Sequence, residues 1–538
     1  MNVMAEGIEY RRIRVPQQDG GVLVDPPLAG LAALVTDNVA AAESRDAQLF
    51  GRPIAEVAES ARSELLDKAL HYTRAYRDVE IASVSDAPRI FLAGHQPELF
   101  HPGVWLKNFA LGSLAAQHNA IAVNLVIDND VLASPSLSVP GGSIAAPTLT
   151  SIAFDRTTQP LPYEERPIED AQQFAEFGRR ATQQIRPLVH EPLLEKLWPS
   201  AVQRGRECGR VGQAIAQARH QLEGQWGLQT LELPISHVCQ FEAYHQFVAH
   251  LLFHLPRLWD ETNRALDEFR RVHRTRSAAQ PLPNLTEHDG WLEAPLWIWS
   301  DADPRRRALF VRHCAGGWEL TDRVDLQLRI EGDEDDGEQI ARQLADAAVR
   351  GIKIRPRALT TTMFARIFLG DLFIHGVGGA KYDQLTDVLV SRFLGVDPPG
   401  YLTISGTQRL PIKRPAVSPV DSRNAQHEIR EFRYHPERFL TPKQQETTAQ
   451  AAITSKTQAI DGVKTRENAK TRHDAIVAAN LKLQGLVASQ HKAAMKRESN
   501  VAQQLRNEAV LGAREMAFCL HPEKKLRTWV LETFAETF

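Results

Sequence analysis

The chain has 538 residues, 43% hydrophobic and 24% charged, enough for roughly two to four domains with substantial cores. Its 66 acidic residues nearly balance its 63 basic ones, and a net charge of −3 gives no electrostatic basis for binding nucleic acid or an anionic membrane. The first residues lack the apolar core of a signal peptide, no apolar run approaches the roughly 18 residues of a membrane span, and Cys208, Cys239, Cys314 and Cys519 are scattered, so a cytoplasmic protein without a disulfide framework is expected.

In chain order, residues 1–30 read as an irregular lead-in with a short strand near Gly21–Val24. Helical spacing follows from Leu28 to Ala42 and from Ile54 to Tyr76. The next stretch, Arg89–Asp130, organises the rest. Ile90–Ala93 reads as a buried strand and Gly94–Gly103 as a polar loop. Val104 to His118 has helical spacing, and Ile121–Ile127 reads as a second strand ending in Asp128-Asn129-Asp130. Strand, loop, helix, strand over this length is a βαβ unit of a parallel sheet. SPSLSVPGGSIAAPTLT then suggests a loop or β-ribbon. Residues 165–225 look helical, with breaks at Pro187, Pro192 and Pro199, before a strand at Leu228–Leu233.

Phe241–Phe269 is helical in pattern with an interruption at Pro256, and 276–330 is an antiparallel β excursion. Helix returns at Gln339–Arg350, followed by turn, helix, short strand, Gly loop and helix to about Val396. Between Lys443 and His521 there is no proline, and Ala502, Leu505, Ala509, Gly512 and Met516 keep a 3-4 spacing. A long C-terminal α-helical coiled coil is expected, with Gly462 or Gly485 as a hairpin turn, and a tail bearing Leu526, Trp529, Val530 and Phe534 docks on the globular body. The expected organisation is an α/β, Rossmann-like parallel-sheet core over 1–164 and 226–440, with a helical insertion at 165–225. A coiled-coil arm at 441–518 and the tail at 519–538 complete it.

Ligands of open parallel sheets bind outside the carboxyl ends of the strands. His95, Gln96 and His101 fall at one such end, leading into a helix start that favours phosphate or carboxylate, with Lys107 and Asn108 about a turn in. His95 and His101 are candidate acid/base groups. Asp128 and Asp130, two apart beyond a strand, would point the same way if extended and bind an amine or a cation, with Asn129 between them. A second loop, His375-Gly376-Val377-Gly378-Gly379-Ala380-Lys381-Tyr382, lets backbone approach an anionic ligand closely, with Lys381 neutralising it. His250 and His254 have metal-compatible spacing but no HExxH glutamate, so no metal centre is expected.

These motifs together resemble the cysteine-adding enzyme family of bacillithiol biosynthesis. GHQPELF (Gly94–Phe100) is similar to that family's Gly-Gln-Gln-Pro-Gly-Leu-Phe loop, and Asp128-Asn129-Asp130 to its Asp-His-Asp cluster. IRPRALTTTMFARIFLGDLFIHGVGGAKYD (Ile354–Asp383) resembles its Arg-Pro segment and Gly-Gly loop, and Leu520-His521-Pro522 the stretch after its coiled coil. The order holds from about residue 85 to 538. The chain departs at His95 for Gln, Glu98 for Gly, Asn129 for His and Lys381 for an acid. The resemblance implies a cytoplasmic carbon-nitrogen ligase acting on small molecules, with ATP or ADP as a candidate nucleotide, in a homodimer made by the coiled coil. A nucleotidyltransferase-like enzyme and a non-catalytic dimeric ligand-binding or scaffold protein are the alternatives.

Overall fold

A computed structural model describes residues 7–81, 88–157, 159–277, 282–333, 336–414 and 416–535. The ends of the expected lead-in and tail, 1–6 and 536–538, lie outside them. The chain divides into two compact units: Met1–Val139, Ser151–Leu410 and Arg514–Phe538 form the first, and Pro140–Thr150 with Pro411–Ala513 the second.

The first unit is built on a six-stranded mixed, mostly parallel sheet. Its strands are β1 (Val22–Asp25), β2 (Arg89–His95), β3 (Ala120–Val126), β4 (Leu231–Pro234), β10 (Leu372–His375) and β11 (Leu402–Gly406). Between β4 and β10 the chain forms an antiparallel sheet of β5 (Trp291–Ser300), β6 (Arg307–Cys314), β7 (Gly317–Thr321), β8 (Gln327–Glu331) and β9 (Ile352–Pro356), in the order β8-β7-β6-β5-β9. This is the excursion that the proline-punctuated, aromatic stretch foretold.

The mixed sheet runs β1-β11-β10-β2-β3-β4, and only β1 is antiparallel to its neighbour. From β2 the chain steps outward through β3 to β4, then returns to the other side of β2 for β10 and β11. The order therefore reverses between β2 and β10, and their carboxyl ends, His95 and His375, part at a crevice. Ile90, Phe91, Leu92 and Ala93 are all fully buried, the continuous apolar run of a strand covered on both faces.

The helices follow from periodicity and end chemistry. Helix α1 spans Leu31–Glu43. Helix α2 (Ile54–Arg74) buries Val57, Ala61, Leu65 and Ala69 in one stripe, with Glu56 in its first turn and Arg74 in its last, as the helix dipole favours. Helix α3 (Pro102–Gln117) starts on Pro102 and is buried nearly all round by Trp105, Leu106, Phe109, Leu111 and Leu114. Helices α4 (Ala171–Ile185), α5 (Leu194–Cys208) and α6 (Val211–Gln225) follow. Pro187 and Pro192 separate α4 from α5, but Pro199 lies inside α5, where the helix continues despite the lost backbone donor.

The helices of 165–225 belong to the first unit. Arg219 on α6 donates to Glu223 at 2.6 Å and to Glu232 on β4, burying an ion-pair network against the sheet. Helix α7 (Glu242–Phe253) gives way at His254 to α8 (Leu255–His273), which carries Pro256 in its first turn. Helices α9 (Gly337–Val349), α10 (Ala358–Phe364) and α11 (Val377–Leu389) complete the set named here. One apolar cluster joins α2, the β3 residues Ile121, Val123 and Leu125, α7, α8 and the antiparallel sheet. Each fully buried Leu or Phe adds about 1.5–3 kcal/mol of burial free energy. In Glu523–Glu532 and just beyond, Leu526, Val530 and Phe534 are buried.

The second unit is made of α12 (Pro419–Tyr434), α13 (Gln450–Asp461), α14 (Ala469–Leu486) and α15 (Ala488–Leu511), and begins at Pro411. Gly462 ends α13, and the helical path changes again at Val487, just past Gly485. Phe432, Leu440, Ala449, Leu483, Val487 and Ala494 form its core. Ala509, in the middle of the expected seam, is exposed. Among the described residues no helix is long and apolar enough to cross a membrane.

Candidate functional site

His95 ends β2, and its ring lies 4.9 Å from that of Phe100. His101 is the N-cap of α3, its Nδ1 accepting from the Gly103 N–H at 3.1 Å. The Val104 and Trp105 amides donate to the His101 carbonyl at 3.0 and 3.3 Å. The amides of this helix start are therefore used within the chain, and the expectation that it binds an anion is corrected.

The open helix start is that of α11. Its N-cap, Gly376, is extended at φ −82° and ψ 169°, no side chain caps it, and the first intrahelical bond runs from Ala380 N–H to Gly376 O at 3.0 Å. A Cβ on Gly378 would meet nothing within 4 Å, so ligand atoms can approach the first-turn backbone. Lys107 reaches across from α3, passing within 4 Å of where a Gly376 Cβ would stand, and donates to the Gly94 carbonyl at 3.0 Å. Burial lowers its ammonium to about 8.

Asp130 is held from three directions. Gln96 Nε2 and the Val131 N–H each donate to it at 2.9 Å, and Arg306 donates to its Oδ1, also at 2.9 Å. Arg306 and Arg357 lie against the same indole, 4.4 and 4.1 Å from the Trp297 ring centre. Asn129 donates to the Pro356 carbonyl at 2.8 Å.

These groups line one cavity of about 790 Å3 at the crevice between β2 and β10. His95, Gln96, His101, Lys107, Asn129, Asp130, His375, Gly376, Gly378 and Gly379 all reach it, while Leu266, Leu282, Leu285 and Trp297 supply an apolar wall. Arg306, Arg357 and Arg514 are paired with Asp130, Glu293 and Glu515, and Lys107, bonded to a backbone carbonyl, adds the positive charge that favours an anion here. Burial and then the neighbouring Lys107 push the His95 imidazole down to about 3, and burial and Arg514 push His101 to about 4. Both are neutral at pH 7, so a ring nitrogen of each can accept a hydrogen bond from a ligand. His375 pairs with Asp383 at 2.8 Å, and Arg366 reaches the same carboxylate at 2.6 Å. Burial alone would raise Asp383, but Arg366 and His375 hold it below the usual carboxylate range.

Four expected site residues lie elsewhere. Asn108 turns into the core and donates to Glu223 Oε1 at 2.8 Å. Lys381 and Tyr382 are exposed, because only the first turn of α11 faces the crevice. Asp128 points away from Asp130: the segment after β3 is a turn, with Asp128 N–H donating to Val126 O at 2.9 Å, so the alternation of an extended strand does not apply. Sequence reasoning missed Trp297, Arg306, Arg357, Arg514 and Glu515. Arg306 and Arg357 had a signal in the Arg-rich runs around 304–307 and 355–357, whereas Trp297, Arg514 and Glu515 lie outside those runs. In comparisons with known proteins, the chain matches no family model and no curated protein.

Proposed function

We propose that the chain is a carbon-nitrogen bond-forming enzyme, a ligase acting on anionic small molecules in the crevice of a Rossmann-like core. One observation carries this reading: the carboxyl ends of β2 and β10 converge on a single cavity that combines buried Lys107, the uncapped start of α11 and a neutral His95. Phosphate or carboxylate is held by Lys107 and the α11 amides, as a nucleotide or an activated acid would require. Arg306 and Arg357 orient a second anionic group beside Trp297. The amine attacks the carbonyl carbon of the activated acid and expels its phosphate or nucleotide, neutral His95 accepts a hydrogen bond from the attacking N–H, and Asp130 keeps Gln96 and Arg306 in place. The four free cysteines support a cytoplasmic setting, and a second copy of the chain is the partner that the family resemblance implies.

The test incubates the protein with cysteine and an amino-sugar malate, with and without ATP, and follows condensation products by mass spectrometry. In parallel, melting is measured with each compound alone, since a ligand at a hundredfold excess over Kd stabilises by about 2.7 kcal/mol. An amide product that disappears in His95→Ala supports the ligase. Pyrophosphate released without an amide favours nucleotidyl transfer, and no binding of any anion rejects both.

A further inference from the structure

On the other side of the Asp128–Asp130 turn, the carboxyl ends of β3 and β4 open onto a second cavity of about 510 Å3. Asp128 reaches into it, Oδ1 accepting from the Ser236 N–H at 3.0 Å and Oδ2 from the Ser236 hydroxyl at 2.5 Å. Among the described residues no cation forms an ion pair with this carboxylate. The nearby cations are engaged: Arg355 binds Glu164 through two bonds of 2.9 and 2.8 Å, and Lys353 pairs with Glu165 and, at 2.8 Å, with Asp301. At the mouth the balance is reversed. Lys68 and Arg210 are exposed and form no ion pair among the described residues, though Glu64, with Glu242 and Asp67 near it, lies close enough to Lys68 to feel its charge. Tyr72 and His237, edge to face at 5.4 Å, wall the space between floor and mouth.

An unpaired carboxylate inside and unpaired cations outside make a dipolar cavity, opposite in sense to a simple anion site. We propose that it is a second small-molecule site, separate from the crevice of β2 and β10, for a compound with a primary ammonium group at its inner end and a carboxylate or phosphate at its outer end. Asp128 accepts from the ammonium, Tyr72 and His237 flank the connecting carbons, and Lys68 with Arg210 meets the anion. Burial, with Glu164 nearby, pushes the Asp128 carboxyl up to about 7, which a bound ammonium would reverse.

The experiment is calorimetric titration of the full chain at pH 8. The probes are a series of ω-amino carboxylates, the matching ω-amino phosphates, simple alkylamines, and Mg2+ alone. Asp128→Asn keeps one oxygen to accept from the Ser236 N–H, while its Nδ2 donates to the Ser236 hydroxyl, and it is expected to fold, which its melting curve verifies. An amino carboxylate or amino phosphate should bind more tightly than the plain amine, and Asp128→Asn should weaken it at least about tenfold. Arg210→Glu should weaken the two-ended probe and spare the alkylamine, and Arg306→Ala in the other cavity should change neither. The carboxylate and phosphate arms identify the outer group. The proposal is overturned if no amine binds the folded wild type, if Asp128→Asn binds equally well, or if Mg2+ alone binds.

Discussion

Arg306, in the turn before β6, donates to Asp130, just past β3, across a separation of 176 residues, and so ties the antiparallel sheet to the carboxyl edge of the parallel strands. The pair is partly open to water, where such bridges contribute about 0–1 kcal/mol. Its importance is positional. Arg306→Ala should leave melting within about 1 kcal/mol of wild type yet weaken an anionic ligand of the larger cavity about 10- to 100-fold, the loss of one charge-assisted bond. Calorimetry with ATP and with a small dicarboxylate reads this directly, and unchanged affinity for both removes Arg306 from the site.

Lys107 makes binding depend on pH. Its ammonium loses its proton near pH 8 in the folded chain, against about 10.4 when unfolded. The cost of burying the charge is therefore complete below pH 8 and fades as pH rises from 8 to 10.4, so this group alone makes the chain more stable with increasing pH across that window. Anion binding runs the other way, because only the charged form attracts the ligand, and affinity should fall by up to about tenfold per pH unit above 8. Lys107→Met should melt no lower than wild type at pH 7 and lose the pH dependence of binding along with most of the affinity. A wild-type affinity that stays flat from pH 7 to 9.5 would count against Lys107 as the anion's partner.

The central unit was legible because its signals are local. The unbroken run Ile90–Ala93, the helical spacing from Val104 to His118 and the second run Ile121–Ile127 each specify an element without reference to the rest of the chain. Their order then places His95, Gln96 and Asp130 at one sheet edge. What was not legible depends on contacts made after folding. Whether the amides of α3 are free depends on His101 turning its own ring onto Gly103, and the split between Asp128 and Asp130 on a turn rather than a strand. Arg306 and Arg357 look like ordinary strand-end charges until Trp297 brings them together. In the helical arm the glycines gave the local signal, since helices end at Gly462 and just past Gly485, while the packing of Leu483 and Val487 depends on contacts made after folding.

Acid should weaken the fold through its buried imidazoles. His95, His250 and His521 are each pushed down to about 3, and His101 and His245 to about 4, with burial the leading cause in every case. An unfolded histidine protonates near 6.5, so between pH 6.5 and roughly 3–4 the unfolded chain binds protons that the folded chain excludes. Stability from these groups is complete above pH 6.5 and falls by up to about 1.4 kcal/mol per pH unit for each as pH drops through that window. Melting temperatures between pH 7 and 4 should show a steep decline, shallower in His521→Gln. A transition that stays constant down to pH 4 would mean that these rings are protonated in the folded state.

The segment from Arg514, which leads into the tail, supports the site from behind. Phe518 is fully buried, its ring centre 4.2 Å from that of Trp105 on α3 and 5.7 Å from that of Phe100, and its N–H donates to the Phe100 carbonyl at 2.8 Å. Phe100 in turn carries the His95 ring. Phe518→Ala leaves a cavity under both aromatic rings and should cost about 3–5 kcal/mol, whereas Phe518→Leu, which keeps more of the volume, should cost less. Because the lost contact backs the loop from Gln96 to His101, both variants should also weaken ligand binding in the larger cavity, in the same order as their loss of stability. The smaller cavity, whose Asp128 is held by Ser236 rather than by this loop, should keep its affinity. Denaturant titration gives the first ranking and calorimetry with the two ligand classes gives the second. If Phe518→Ala destabilises the chain without affecting the larger cavity, the tail anchors the fold but does not shape the site.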